Sequence, residues 1–190
     1  MNQTHIPYSQ QTINKWSGGT TTELFIYPEG SQYKALDFDF RISTATVEVE
    51  ESTFSPLKDI NRKLMVLEGS TTLHHLNQHS KALNKFDIDT FSGNWQTKSV
   101  GKCRDFNLMT TEACQGEIEA ISFKGESIIN TLDFDFIILF AMHGKIAVSV
   151  DHSKILLQHF DTFIIQNSDK NIILNSEENS ELIITRINTK

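Results

Sequence analysis

The chain has 190 residues, a length that fits one large domain or two small ones. Its 24 Asp and Glu outweigh 17 Lys and Arg, and the resulting net charge of -7 repels a phosphate backbone, which excludes nucleic acid as an expected partner. The N-terminus shows no charged segment running into an apolar one, and the longest apolar run, Phe136 to Met142, is too short to span a bilayer, so the expectation is a cytoplasmic protein with no membrane partner.

Thirteen Phe in a background rich in Ile, Thr and Val favour pleated strands, and no sustained helical period competes with them. From the N-terminus, Gly18-Gly-Thr-Thr-Thr22 comes first. Its N–H groups and hydroxyls, Thr20 among them, suit an anion, but it has no lysine and no phosphate-loop spacing, so a plain loop leading into a strand competes with that reading. Glu23 follows as an acid, a base or a clamp for an arginine. Pro28-Glu-Gly30 marks a turn. Phe38, Phe40 and Ile42 then alternate with Asp39, Arg41 and Ser43, and the apolar phase moves to Ala45, Val47 and Val49, which predicts a bulge near Thr44.

The next stretch has a later counterpart. Lys63-Leu-Met-Val-Leu-Glu-Gly69 precedes Leu73-His-His-Leu, His79-Ser-Lys-Ala-Leu and Phe86-Asp. Phe136-Ile-Ile-Leu-Phe-Ala-Met-His-Gly144 precedes Ile146-Ala-Val-Ser-Val, His152-Ser-Lys-Ile-Leu and Phe160-Asp. The same order of strand, glycine turn, strand, His-Ser-Lys turn, strand and Phe-Asp predicts two tandem repeats differing by a small change in one hairpin. Between them, Asp105, Asn107 and Met109 alternate and share a face that could wall a pocket or fix a loop. Glu117 to Phe123 and Glu181 to Ile187 read as further strands, Ser92-Gly-Asn94 and Asn175 to Asn179 as turns, and Lys124 to Asn130 as the junction between halves. The expected organisation is all-β. Residues 1–124 form a half with the candidate pocket and 125–190 a largely structural half, packed as one compact unit.

Cys103 and Cys114 fit no zinc or redox spacing and are expected to be reduced thiols. Adjacent His74 and His75 point to opposite faces of a strand and cannot both bind one ion. These two, with His79, His143, His152 and His159, are expected mostly at the surface.

Several blocks in order carry a resemblance: Trp16-Ser-Gly-Gly-Thr-Thr-Thr-Glu23, Asp37-Phe-Asp-Phe-Arg-Ile-Ser-Thr-Ala45, Phe54-Ser-Pro-Leu, Asn61 to Gly69, Phe91-Ser-Gly-Asn94 and Asp105-Phe-Asn-Leu-Met-Thr110. Together, over about residues 10 to 187, they resemble the HutD/Ves family of bicupins, in which two jelly-roll cupin repeats are joined in tandem. The opening motif departs from the family's usual form, with Trp16 close to a shortened glycine pair. The resemblance implies a cytoplasmic protein linked in some bacteria to histidine degradation, with a regulatory role and a formylglutamate-like ligand. It implies no secure enzymatic activity.

Metal-binding cupins offer a test. With Gly69 closing the first metal motif, Arg62 stands where its glutamate would be and Ser55 to Lys58 where its paired histidines would be. With Gly93 as the second motif's glycine, Gln96 replaces the third histidine. A guanidinium has no lone pair to give and repels a cation, so no metal and no cofactor are expected there. Instead Arg62 and Arg41 could grip a small anionic metabolite, with Ser43, Glu23, Thr20, Asp105, Asn107 and Met109 as the other candidate ligand-binding residues. The competing account pairs each arginine with a local acid such as Glu23, Asp39 or Asp105. Two alternative functions stand beside the binder: a metal-independent isomerase or hydrolase acting on a similar acid through Glu23 or Asp105, and an interaction module that pairs as a homodimer through sheet edges.

Overall fold

A computed structural model describes the whole chain, Met1–Lys190. Strand β1 spans Asn2–Ile6, β2 Ile13–Trp16, β3 Gly19–Tyr27, β4 Phe40–Val47, β5 Glu51–Thr53 and β6 Asn61–Gly69. Then come β7 (Thr71–His75), β8 (Ser80–Leu83), β9 (Ile88–Ser92), β10 (Thr97–Val100), β11 (Cys103–Thr110) and β12 (Cys114–Ile129). The last five are β13 (Phe136–His143), β14 (Ile146–Val150), β15 (Ser153–Leu157), β16 (Thr162–Gln166) and β17 (Ile172–Thr189). Helix is confined to two single 3-10 turns, Tyr8–Gln10 and Tyr33–Ala35, so the protein is all-β and no helix is long and apolar enough to cross a membrane.

The chain divides into two compact units, Thr12–Cys114 and Met1–Gln11 with Gln115–Lys190. The division falls ahead of the expected boundary after residue 124, because β12 runs unbroken through most of the Lys124–Asn130 stretch read as a junction. The first residues go with the second unit because β1 pairs antiparallel with β16, from Asn2 opposite Gln166 to Ile6 opposite Thr162.

In the Thr12–Cys114 unit a six-stranded sheet, ordered β2-β3-β4-β11-β6-β9, faces a four-stranded one, ordered β5-β10-β7-β8. Val47, Leu64 and Val66 of the larger sheet meet Leu73 and Leu83 of the smaller in one core. Burial of each such side chain is worth about 1.5–3 kcal/mol, which holds the two sheets face to face. β4 pairs with β11 in unbroken register, from Val47 opposite Cys103 to Phe40 opposite Thr110. The bulge expected near Thr44 therefore lies elsewhere: β3 shifts register against β4 between Glu23 and Phe25. The change of apolar phase in β4 arises because both faces are covered. Phe40, Ile42 and Thr44 on one side and Arg41 and Ser43 on the other are all buried.

The other unit is a seven-stranded sheet, ordered β1-β16-β13-β17-β14-β15 with β12 also paired to β17. It closes around Ile137, Leu139, Val148, Leu157, Phe163 and Leu182, among others. β17 serves both ends of it, pairing with β14 through Ile172–Asn175 and with β13 from Glu181 to Ile187. The turn expected at Asn175 to Asn179 does not interrupt this strand. Ser176 Oγ lies 2.8 Å from Ser180 Oγ and donates to Lys145 O, which settles its polar groups inside the sheet.

The two Phe-Asp segments have the same local form. Phe86 N–H donates to Val66 O and Phe160 N–H to Ala141 O, while Val66 and Ala141 N–H donate back to the Asp87 and Asp161 carbonyls. Phe86 and Phe160 have φ of 69° and 67°.

Candidate functional site

The inner face of the larger sheet in the Thr12–Cys114 unit is organised in rows across the strands. Antiparallel pairing sets Glu23, Ser43, Asn107 and Leu64 side by side. The next row is Ile26, Arg41, Met109, Arg62 and Phe91. Because residues two apart on a strand share a face, Asp105 follows Asn107 and Ala45 follows Ser43 in the row on the other side. Arg41 and Arg62 thus stand in one row with a single strand between them, which puts their Cα atoms roughly 10 Å apart.

These rows wall a cavity of about 770 Å³. Of the candidate residues, Arg41, Arg62, Ser43, Glu23, Asp105, Asn107 and Met109 all line it. Thr20 does not. It pairs with Thr46 one position along the strand, so its side chain faces away and Thr21 takes the place in the wall. Trp16 and Phe54, both within the blocks that carry the family resemblance, line it as well, as do Lys15, Tyr33 and Lys34, which no sequence signal singled out. Trp16 follows from the β2–β3 hairpin, in which it opposes Gly19, whereas Lys15 opposes Thr20 and shares its outward face. Tyr33 sits in a 3-10 turn with no periodic pattern to reveal it.

Both arginines are buried, Arg41 with 5% and Arg62 with 8% of its surface exposed. Arg41 Nε donates to Glu23 Oε2 at 2.7 Å and Nη1 to Ser43 Oγ at 3.0 Å. Glu23 is therefore a clamp for Arg41, as the competing account had it. The Arg41 guanidinium also lies 4.3 Å from the centre of the Tyr33 ring. Arg62 is held differently. Its Nη2 donates to Asn107 Oδ1 at 3.0 Å, and Asn107 Nδ2 donates onward to Asp105 Oδ1. Its guanidinium lies between the Phe54 ring, at 4.7 Å, and the Phe91 ring, at 5.1 Å. Arg62 Nε is buried with no acceptor.

Electrostatics follow from this burial. Desolvation lowers the Arg62 pKa to about 10, against the attraction of Asp105, and leaves it cationic at neutral pH. The same desolvation pushes the Asp105 carboxyl up to about 7 despite Arg62 and the Asn107 hydrogen bond. Lys34, Arg41 and Arg62 thus line the cavity against only Glu23 and an Asp105 that is about half protonated at neutral pH. On a chain of net charge -7, this cavity is a local cationic site.

The positions tested for cupin metal ligands hold Arg62 and Ser55 on the cavity wall and an exposed Gln96, which form no donor set for a cation. The histidines lie mostly at the surface, as expected, and His75 is the exception. His75 is 4% exposed, on β7 of the smaller sheet, where Nε2 lies 3.1 Å from Asp89 Oδ2 and Nδ1 2.8 Å from Thr97 Oγ1. His79, Asp89 and His75 bring their ligand atoms within 4.8 Å of one another. Cys103 and Cys114 are free and buried, and burial pushes the Cys103 thiol up to about 12, which removes it as a nucleophile.

No curated protein matches this sequence. Among solved structures, a conserved protein of unknown function from Pseudomonas aeruginosa PAO1 is similar over 100% of both chains, with a TM-score of 0.88 at 21% identity. HutD from Pseudomonas fluorescens SBW25, described in a formate condition, is similar over 100% of both chains, with a TM-score of 0.77 at 19% identity. Oxalate decarboxylase from Lactobacillus farciminis, a formate complex, is similar over 97% of this chain and 88% of that one, with a TM-score of 0.72 at 8% identity. These likenesses show the fold, that of cupin proteins. The HutD family model matches residues 8–184, almost the whole chain, and the protein belongs to the HutD family.

Proposed function

We propose that the Thr12–Cys114 cavity receives a small anionic metabolite of the formylglutamate class, and that this binding serves regulation in histidine utilisation. The observation that carries the reading is Arg62: a buried cation facing a cavity, with its Nε short of any acceptor. An unsatisfied buried N–H costs about 1–3 kcal/mol, and a carboxylate entering the cavity would recover that cost through a charge-assisted bond. Arg41, in the same row, is positioned for a second carboxylate of the same molecule. The oxalate decarboxylase of similar fold is described as a formate complex, and formate is a small carboxylate of the kind this chemistry would hold. The shared Phe-Asp turns support reading the two units as tandem copies of one cupin repeat.

Calorimetric titration with N-formylglutamate, glutamate, succinate and formate tests the proposal. Saturable binding is expected for at least one dicarboxylate, weakened about tenfold or more in Arg62→Gln, in line with loss of a hydrogen bond to a charged group. No saturable heat with any of the four, or equal affinity in Arg62→Gln, would overturn it. The raised Asp105 carboxyl favours a second reading, in which Asp105 transfers a proton in a metal-independent reaction on the same acid. That reading requires turnover which Asp105→Asn abolishes while binding persists.

A further inference from the structure

We propose that His75, His79 and Asp89 form a site for a zinc-type divalent metal ion, separate from the anion cavity. None of the three lines that cavity. The ligands would be Nε2 of each histidine and one Asp89 carboxylate oxygen, with a water or a small ligand in the fourth position. Two imidazoles with a single carboxylate suit zinc, cobalt or nickel; calcium and magnesium favour all-oxygen shells.

The geometry is close to what such an ion requires. His75 Nε2 lies 3.1 Å from Asp89 Oδ2, and His79 Nε2 lies 3.1 Å from both Asp89 oxygens. Ligand atoms on a tetrahedral ion, each about 2.0–2.2 Å from it, are roughly 3.4 Å apart, and the three ligand atoms here already lie within 4.8 Å of one another, so closing the set by rotation of the exposed His79 side chain would admit a metal. The hairpin between β7 and β8 presents the two rings. His75 N–H donates to His79 O at 2.9 Å, Gln78 N–H donates to His75 O at 3.0 Å, and Asn77 turns the chain with φ of 59°. The ring centres are 4.6 Å apart.

The surroundings fit a ligand set rather than a packing accident. His75 Nδ1 lies 2.8 Å from Thr97 Oγ1, which in turn lies 3.5 Å from Trp95 O. With Nε2 on a metal, Nδ1–H donates to Thr97 and the hydroxyl donates to Trp95 O, the outer hydrogen bond that metal-bound histidines ordinarily make. Thr90 N–H holds Asp89 Oδ1 at 2.9 Å and so fixes the carboxylate. The His75 and Asp89 side chains are 0% and 4% exposed, whereas His79 is 40% exposed and gives an ion its way in. Strand packing does not call for these polar groups. At the matching places in the other unit, the end of β14 and two residues past the Phe-Asp turn, stand buried Val150 and Phe163.

Tag-free protein stripped with a chelator and titrated with Co(II) tests the site. A four-coordinate d–d absorption saturating at one ion per chain and displaced by Zn(II) is expected, together with a Zn(II)-dependent rise in Tm. His79→Ala, at an exposed position whose loss spares the core, should weaken Co(II) binding at least tenfold and abolish the Zn(II) effect on Tm. His74→Ala should change neither, since His74 is exposed and bonds to Ser80 Oγ instead. No saturable absorption in the wild type, or an unchanged spectrum in His79→Ala, would overturn the proposal, and neither result bears on the anion cavity.

Discussion

Asp105 is a carboxylic acid whose titration is governed by burial, and its protonation sets the charge of the cavity. In the folded chain it titrates near 7; in the unfolded chain an Asp does so at about 3.9. Between those values the folded state keeps a proton that the unfolded state has released, so Asp105 erodes stability as pH rises from about 4 to about 7. Above that range the penalty is complete, and below it there is none. Asp105→Asn keeps an oxygen to accept from Asn107 Nδ2 but cannot ionise. Relative to the wild type it should gain stability with rising pH, on the order of 4 kcal/mol between pH 4 and pH 8. Urea unfolding of both proteins across that range checks this; parallel stability curves would show that Asp105 does not carry the shift. This residue was legible from the sequence as one of an alternating set with Asn107 and Met109, since period two alone assigns them one face. Its protonation was not, because desolvation depends on strands distant in the chain.

At the scale of strands and hairpins, the β2–β3 hairpin places Trp16 at the cavity and separates two adjacent glycines by their surroundings. A Cβ on Gly19 would lie 1.8 Å from the backbone carbonyl oxygen of Thr46, at φ of 151°, so β3 could not lie against β4 as it does. A Cβ on Gly18 would meet first the outer atoms of the Trp16 indole, a side chain that can rotate away. Gly19→Ala should therefore cost roughly 2–4 kcal/mol and Gly18→Ala clearly less, as measured by urea unfolding. Equal costs would mean that the backbone contact to Thr46 does not decide the difference. The shortened glycine pair beside Trp16, a departure from the family's usual motif, thus has a physical use. The Thr20 expectation failed at this scale. The run of threonines shows no alternation in residue type, so only pairing with β4 reveals that Thr21, and not Thr20, faces inward. The bulge was misplaced for a related reason: covered on both faces, β4 imitates a shift of phase that belongs to its neighbour β3.

At the scale of the whole chain, the strands and their turn glycines were readable, but the grouping of distant segments was not. Asn2-Gln-Thr-His-Ile6 is short, polar and mostly exposed, and nothing local gives it a partner. Its place comes from β16, far along the sequence. Beyond the five paired residues, His5 Nε2 lies 3.0 Å from Asp161 Oδ2, Tyr8 N–H donates to Asp161 Oδ1 at 2.9 Å, and Gln11 Nε2 donates to Phe160 O at 2.7 Å. The Tyr8 ring meets Phe160 edge-on with centres 5.5 Å apart. Asp161 also accepts from Gln158 N–H, so the N-terminal segment is pinned to the very turn that shapes the Phe-Asp motif of its unit. Deleting residues 1–11 would strip the outer ladder from β16 and leave the Asp161 carboxylate short of two partners. The expected loss is roughly 1–3 kcal/mol, with faster hydrogen exchange at the β16 amides that bond to β1 and little change in β4 and β11 of the other unit. If exchange in β16 stays as slow as in the full chain, the N-terminal strand adds no stability to the unit it pairs with, and its hydrogen bonds only replace those that water would supply.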